Sequence, residues 1–466
     1  MTYPKSVRRE LNKEIARQGY TLSSFSKVSG INRGVLSLTL NEQASKSLSM
    51  NQLNRMIAAL QLPAGWLYER YAQELLSDIE NVSWRKIKDL LTHCLQLGKV
   101  ALIETILDAL EDKPIYVNYI FKFAEELHEQ SLTAHLSMLY QYVLDHELNL
   151  QTERFVVSQY RLFRASLSLD LHQCFRSAIQ FAPYRQALPV HLKLDALAQL
   201  INVSFALKDW HVLNQYGVEL VATAKWVYRM TVVDKMEDIK PYERPLIVYY
   251  GKGYIAQCAA WEYLGDYQKS KKLIPYYEDL SWFEGLTATE RIYVEKYAIV
   301  AKCNRYNLEL LQGNHDMLLP YISYLEFFPE EQPASLEIIL KASNFHKWNI
   351  DEILEKYHDI IYPPDVLCYL EAITNYDMIS ELNRYINIYY DLALYYLERK
   401  GSNKQLEYVL SALKHNIEKY NRIHLFDSTE LFEKLYKFYA STTIGATNTI
   451  HTTNTITTTK RNRDSN

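Results

Sequence analysis

Apolar residues recur at helical spacing along almost the whole of this chain. Val7, Leu11 and Ile15 stand four apart with charges between them, which predicts a helix over residues 5–18. Thr21 follows as an N-cap for a second helix, whose inward residues are expected at Leu22, Phe25 and Val28. Gly30 sits where a helix ends and the backbone needs positive φ. Ile31 is expected to plug the core, and Asn32 to cap a third helix with Val35, Leu36 and Leu40 turned inward. A fourth helix is predicted over 49–60, with Met50, Leu53, Ile57 and Leu60 on one stripe and Ser49 as its N-cap.

Beyond Trp66 the helical pattern continues with few interruptions, and the whole chain has only 13 Gly and 13 Pro. That scarcity argues against an architecture of many hairpins and for an all-α fold. A local pattern recurs: an aromatic helix, a Gly or Lys-Asp turn, then a second helix. It stands at Gly98, at Lys208-Asp209-Trp210, at Gly265-Asp266-Tyr267, at Gly313 and at Gly401. Stacked helical hairpins, an α-solenoid, are the architecture this predicts.

Charge divides the chain unevenly. Residues 1–60 hold nine Lys and Arg against three Glu, a surplus of six, which leaves −10 on the remainder to give the overall −4. A basic head on an acidic body predicts a polyanionic partner for the head alone.

The stretch "TLSSFSKVSGINRGVLSLTLN", followed by "SLSMNQLNRMIAALQLP", resembles the helix-turn-helix of the Cro/C1 (XRE-type) DNA-binding family over about 60 residues. The resemblance implies a second helix lying across the phosphate backbone of double-stranded DNA and a third in its major groove. Asn32, Arg33, Gly34 and Ser37 would then face base edges. Arg33 suits a guanine bidentately, and Ser37 or Asn32 an adjacent base. Ser24, Lys27, Thr39 and Asn41 fall at phosphate-contacting positions. Two residues depart from the family pattern: Ser26, where Ala is favoured, and Glu42, where Gly is common. Read from the residues alone, 21–41 also fits an ordinary helical hairpin.

In the body, "WEYLGDYQKSKKLIPYY" looks like the turn and second helix of a tetratricopeptide repeat, although the turns at 209, 265 and 313 are 56 and 48 residues apart, too far for the plain repeat. Such units are degenerate and TPR-like. Laying the repeat's pattern on these turns puts Asn202, Lys252 and Asn307 on groove-facing positions, where an amide can pair with a peptide backbone. An XRE-type head joined to such a body resembles the RRNPP and arbitrium-type peptide-pheromone receptors. That resemblance implies a homodimer whose repeats bind a short peptide and thereby alter how two heads hold DNA.

The expected organisation is a DNA-binding head over 1–70, a helical linker over 71–83, a repeat domain over 84–440 and a tail over 441–466. Within the body, 229–245 is expected to form a loop, and "YPPD" at 362–365 to separate two lobes. The tail carries ten Thr in 442–459 and is expected to be disordered.

No enzyme emerges. "YYGKGYIAQ" at 249–257 lacks the glycines and the preceding strand of a phosphate loop. HExxH and GxSxG are missing, and His93 and Cys94 are neighbours that point to different helix faces. The five scattered cysteines show no metal spacing and are expected to be buried thiols in a reducing compartment. No catalysis, cofactor or metal is expected, and nothing approaches 18 consecutive apolar residues, so no membrane partner either. The expected compartment is the cytoplasm. The reading is a transcriptional regulator whose body senses a ligand, most simply a short peptide. Its alternatives are an interaction scaffold, or a DNA-binding regulator whose repeats only dimerise.

Overall fold

The computed structural model describes residues 6–41, 48–77, 82–132, 135–167, 171–233, 242–366, 368–369, 378–399 and 403–420, with 433, 436, 437 and 440. The described residues are helical throughout, without a strand. The chain forms two compact units, 1–162 and 163–466. The expected tail, Glu42, the Gly401 turn and residues 234–241 lie outside the described residues.

In the first unit, α1 (Val7–Arg17), α2 (Leu22–Ser29), α3 (Arg33–Leu40) and α4 (Met50–Ala59) begin where the capping residues place them. Thr21 and Ser24 form a reciprocal capping box on α2, and Ser49 and Gln52 another on α4. Gly30 ends α2 at φ 64°. The inward face is narrower than the pattern predicts. Phe25, Leu36 and Leu40 are buried, but Leu22, Val28 and Val35 are exposed, Val28 by 54 %. An eight-residue helix packed along one side buries a single i, i+4 line. In α2 that line is Phe25 and Ser29, and Leu22 and Val28 fall off it.

The expected boundary at residues 70–84 is not where the chain divides. α5 (Tyr68–Leu76) buries Tyr68, Tyr71 and Leu75 in a core continuous from Val7 to Val143. It binds back to α1 through Glu74, which accepts from the Val7 amide at 2.5 Å, and forward through Glu69, which pairs with Lys99 at 2.7 Å. The unit continues through α6 (Trp84–Gln96), α7 (Val100–Asp108), α8 (Ile115–Glu129) and α9 (Leu136–His146), and the division falls within α10 (Glu153–Ser166).

The second unit holds α11 (Leu171–Phe181), α12 (Val190–Ala206), α13 (Trp210–Tyr228), α14 (Leu246–Tyr263), α15 (Tyr267–Leu273), α16 (Pro275–Glu278) and α17 (Ala288–Leu311). It continues with α18 (Leu318–Leu325), α19 (Gln332–His346), α20 (Asp351–Lys356), α21 (His358–Ile361), α22 (Met378–Glu398) and α23 (Asn403–Tyr420). The described turns read from sequence share one mechanism. A left-handed residue follows the helix, at Gly98, Lys208, Gly265 or Gly313, and the next amide bonds back five residues. Asp209 and Asp266 then cap the following helix, accepting from Val212 N and Lys269 N at 3.1 and 3.0 Å. A further turn of this form, at Lys347 with φ 62°, carries no glycine and left no trace in the pattern.

Close approach of α13 and α14 rests on two glycines. A Cβ on Gly253 would lie 2.7 Å from Val221 Cγ2 and 2.9 Å from the Gly217 carbonyl. Residues 229–233, expected as loop, extend α13 by a π-helical turn. "YPPD" does break the helices, but it separates no lobes, because Ile361 before it and Val366 and Leu382 after it share one core. Cys94, Cys174, Cys258 and Cys303 are buried as expected, whereas Cys368 is exposed. Burial pushes the Cys94, Cys258 and Cys303 thiols up to about 12, so they are inert at neutral pH.

Candidate nucleic-acid interface and candidate ligand cleft

α3 is held at both ends by its neighbours. At its start, Asn32 Oδ1 accepts from Gly34 N at 2.8 Å, and Ser26 Oγ donates across the turn to the Ile31 carbonyl at 2.6 Å. That bond gives the unusual Ser26 a task in this turn that an alanine cannot perform. Arg55 donates to the Gly30 carbonyl. At the far end, Arg8 Nε and Asn12 Nδ2 donate to the Thr39 and Leu40 carbonyls at 2.8 and 3.0 Å, which satisfies acceptors a helix end leaves open.

The face so fixed is open. Asn32, Arg33, Gly34 and Ser37 are all exposed, and with them Val35 and Leu38, the last at 73 %. Leu38 lies two residues from each of the buried Leu36 and Leu40, on the opposite side of α3, so helical periodicity places it on the open face. Lys27 and Asn41 are exposed too, but Thr39 is half-buried, and the Ser24 hydroxyl is engaged by Thr21 in the capping box. Ser24 therefore reaches a phosphate only by loosening its cap. Charge is also sorted. Lys13 and Arg17 are matched to Glu10 and Glu14, and Arg17 holds the Glu14 carboxyl down at about 2. Lys27, Arg33 and Arg55, on and near the α2–α3 turn, have no carboxylate within ion-pair distance among the described residues.

Of the three groove candidates in the body, two meet. Lys252 Nζ donates to Asn202 Oδ1 at 2.6 Å, and Asn202 Nδ2 to Gln199 at 3.3 Å. Asn307 does not join them. It is 7 % exposed, and its Oδ1 accepts from the Tyr321 hydroxyl at 2.9 Å while its Nδ2 lies 3.5 Å from Asn304. Its amide is committed to the core, where Tyr321 also reaches Ser335 at 2.6 Å.

A different place in the second unit is concave. A cleft of about 920 Å³, counted out to its open mouth, is lined by the ends of α12 and α14, the Lys208–Trp210 turn, and facing residues of α19, α22 and α23. One wall is aromatic: Trp210 stacks on Tyr263 with centroids 4.1 Å apart, and Phe205 meets both edge-on. The other is polar. Glu337 accepts from Asn387 at 2.8 Å and Tyr263 at 3.3 Å, and lies 3.5 Å from Arg384. Arg384 in turn clasps Glu381 at 3.1 and 3.2 Å. Burial, with Glu337 adding to it, raises the Asp391 carboxyl to about 7. Burial raises Glu262, behind Tyr263, to about 7 as well.

One sign of this cleft is legible in the sequence: Asn383, Asn387 and Asp391 recur every four residues in α22, a polar line on one face of a helix rich in aromatic and aliphatic residues. Among the described residues no cluster of His, Cys, Asp and Glu is arranged to hold a metal, and no helix is long and apolar enough to cross a membrane. No protein-family model matches this chain, and comparisons with curated proteins and with solved structures find no match.

Proposed function

We propose that this protein is a sequence-specific DNA-binding transcriptional regulator, with α3 as the reading helix and a ligand-sensing helical body. The observation that carries the reading is the open face of α3. Arg33, Gly34 and Ser37 stand exposed on a short helix anchored at both ends, beside cations without carboxylate partners among the described residues. A rigid, exposed, electropositive helix start suits base edges in a major groove. Exposed Leu38 adds an apolar group of the kind that meets thymine methyls. The TPR-like organisation of helix pairs, by its resemblance to peptide-pheromone receptors, makes a short peptide the ligand class and a homodimer the acting form. Ligand then acts through different affinities for two body shapes.

The test is capture of fragmented genomic DNA from the source organism by the full chain, followed by sequencing, with an Arg33→Ala/Ser37→Ala variant alongside. The expected result is a short motif, two-fold related if a dimer reads it, enriched by wild type and lost in the variant. Equal enrichment by both proteins, or none, defeats the assignment of α3 and leaves the interaction scaffold. Removing Lys27 should lower the slope of log affinity against log salt by about 1, whereas removing Arg33 should relax base preference at its position.

A further inference from the structure

We propose that the cleft beside Lys208 and Lys341 is a binding site for a carboxylate carried on an apolar body, such as the C-terminal residue of a peptide or a free hydrophobic acid. Two ammonium groups line the cleft without a carboxylate in ion-pair range among the described residues. Lys341 Nζ lies 4.5 Å over the Tyr263 ring, and Lys208 Nζ has only Asn387 Oδ1, at 3.5 Å. The carboxylate nearest in kind, Glu337, is taken up by Asn387, Tyr263 and Arg384. Both lysines act on Asp391, which places them around one polar corner.

Lys208 holds φ 58°, as Gln61, Ser131 and Lys347 hold positive φ at the same point of the turns after α4, α8 and α19, so its left-handed backbone belongs to the turn and not to the cleft. An arriving carboxylate finds two cations, and Trp210 and Tyr263 offer a surface for an apolar body. Asp391, raised to about 7, lies near Glu337, Lys341, Lys208 and the Asn344 amide, and it loses its charge readily when a second anion approaches.

This inference rests on the reading of the body as a ligand sensor and is independent of DNA binding by the head. The experiment presents the full chain with three probes: a random hexapeptide pool with free C-termini, the same pool amidated, and a panel of aromatic and medium-chain monocarboxylic acids. Retention is read by mass spectrometry for wild type, Lys208→Gly and Lys341→Met. Lys208→Gly relieves the left-handed strain, so it should fold at least as well as wild type. The expected result is retention of free acids by wild type, with at least a tenfold loss on amidation and in each variant. The peptide and monocarboxylate arms tell the two sources apart. Equal retention of acid and amide, unchanged retention in Lys208→Gly and Lys341→Met, or no retention by wild type overturns the site. DNA capture is scored separately on the same preparations, so a failed head and a failed cleft give different outcomes.

Discussion

Replacing Gly251 by alanine sets two effects of opposite sign against each other. In an open helix interior Gly→Ala stabilises by about 1 kcal/mol, because glycine loses more backbone freedom on folding. Gly251 lies inside α14, so propensity alone predicts a gain. A Cβ there would stand 2.3, 2.5 and 2.7 Å from three atoms of the Tyr297 ring. Ordinary carbon contacts are about 3.5–4.0 Å, so the ring must move by about 1 Å or more. It has little room, being 7 % exposed and tied by its hydroxyl to the Val248 carbonyl at 2.8 Å. Overpacking of this kind costs about 1–3 kcal/mol, and losing the hydrogen bond about 1 more. The clash wins, by about 2 kcal/mol. Amide hydrogen exchange along α14 reads the loss locally, without requiring the whole chain to unfold in one step. In a Tyr297→Ala background the same substitution should become neutral or stabilising. A Gly251→Ala protein more stable than wild type would refute the packing argument.

Three further outcomes are expected. Glu262 is raised from 4.5 to about 7 by burial, so between these pH values the folded state holds a proton that the unfolded chain has released. Stability from this group is complete below about 4.5, falls by about 3 kcal/mol as pH rises toward 7, and then levels; Glu262→Gln should flatten its share of that slope in urea midpoints measured from pH 5 to 8, and an unchanged slope would contradict the burial argument. Asn307→Ala should lower the urea midpoint by the equivalent of about 1–3 kcal/mol, because it strips a partner from buried Tyr321, while Asn202→Ala at its half-buried site should cost less; the reverse order would return Asn307 to the groove. Thr21→Ala breaks the capping box of α2 and should cost about 1 kcal/mol of stability in the first unit, read by thermal melting.

What the sequence determined by itself is local. The caps at Thr21, Asn32 and Ser49, the left-handed glycines at 30, 98, 265 and 313, and the helical type of the whole described chain depend on bonds between residues two to five apart. A pattern of nearby residues contains all the information such bonds need. Which helix face is covered is another matter. Val28 and Val35 look inward by periodicity and are exposed, and Asn307 looks like a groove residue and is buried, because the covering partner comes from elsewhere in the chain. The surroundings of α5 are set in the same way: its buried face continues a core shared with α1. Lys208 shows the limit in one residue. Its turn was readable, but its role at the cleft depends on Lys341, Asn387 and Asp391, which lie more than 130 residues away and meet it only through the packing of α12, α19 and α22. Chain-local physics chose the elements, and only their long-range packing could choose which side chains stand together.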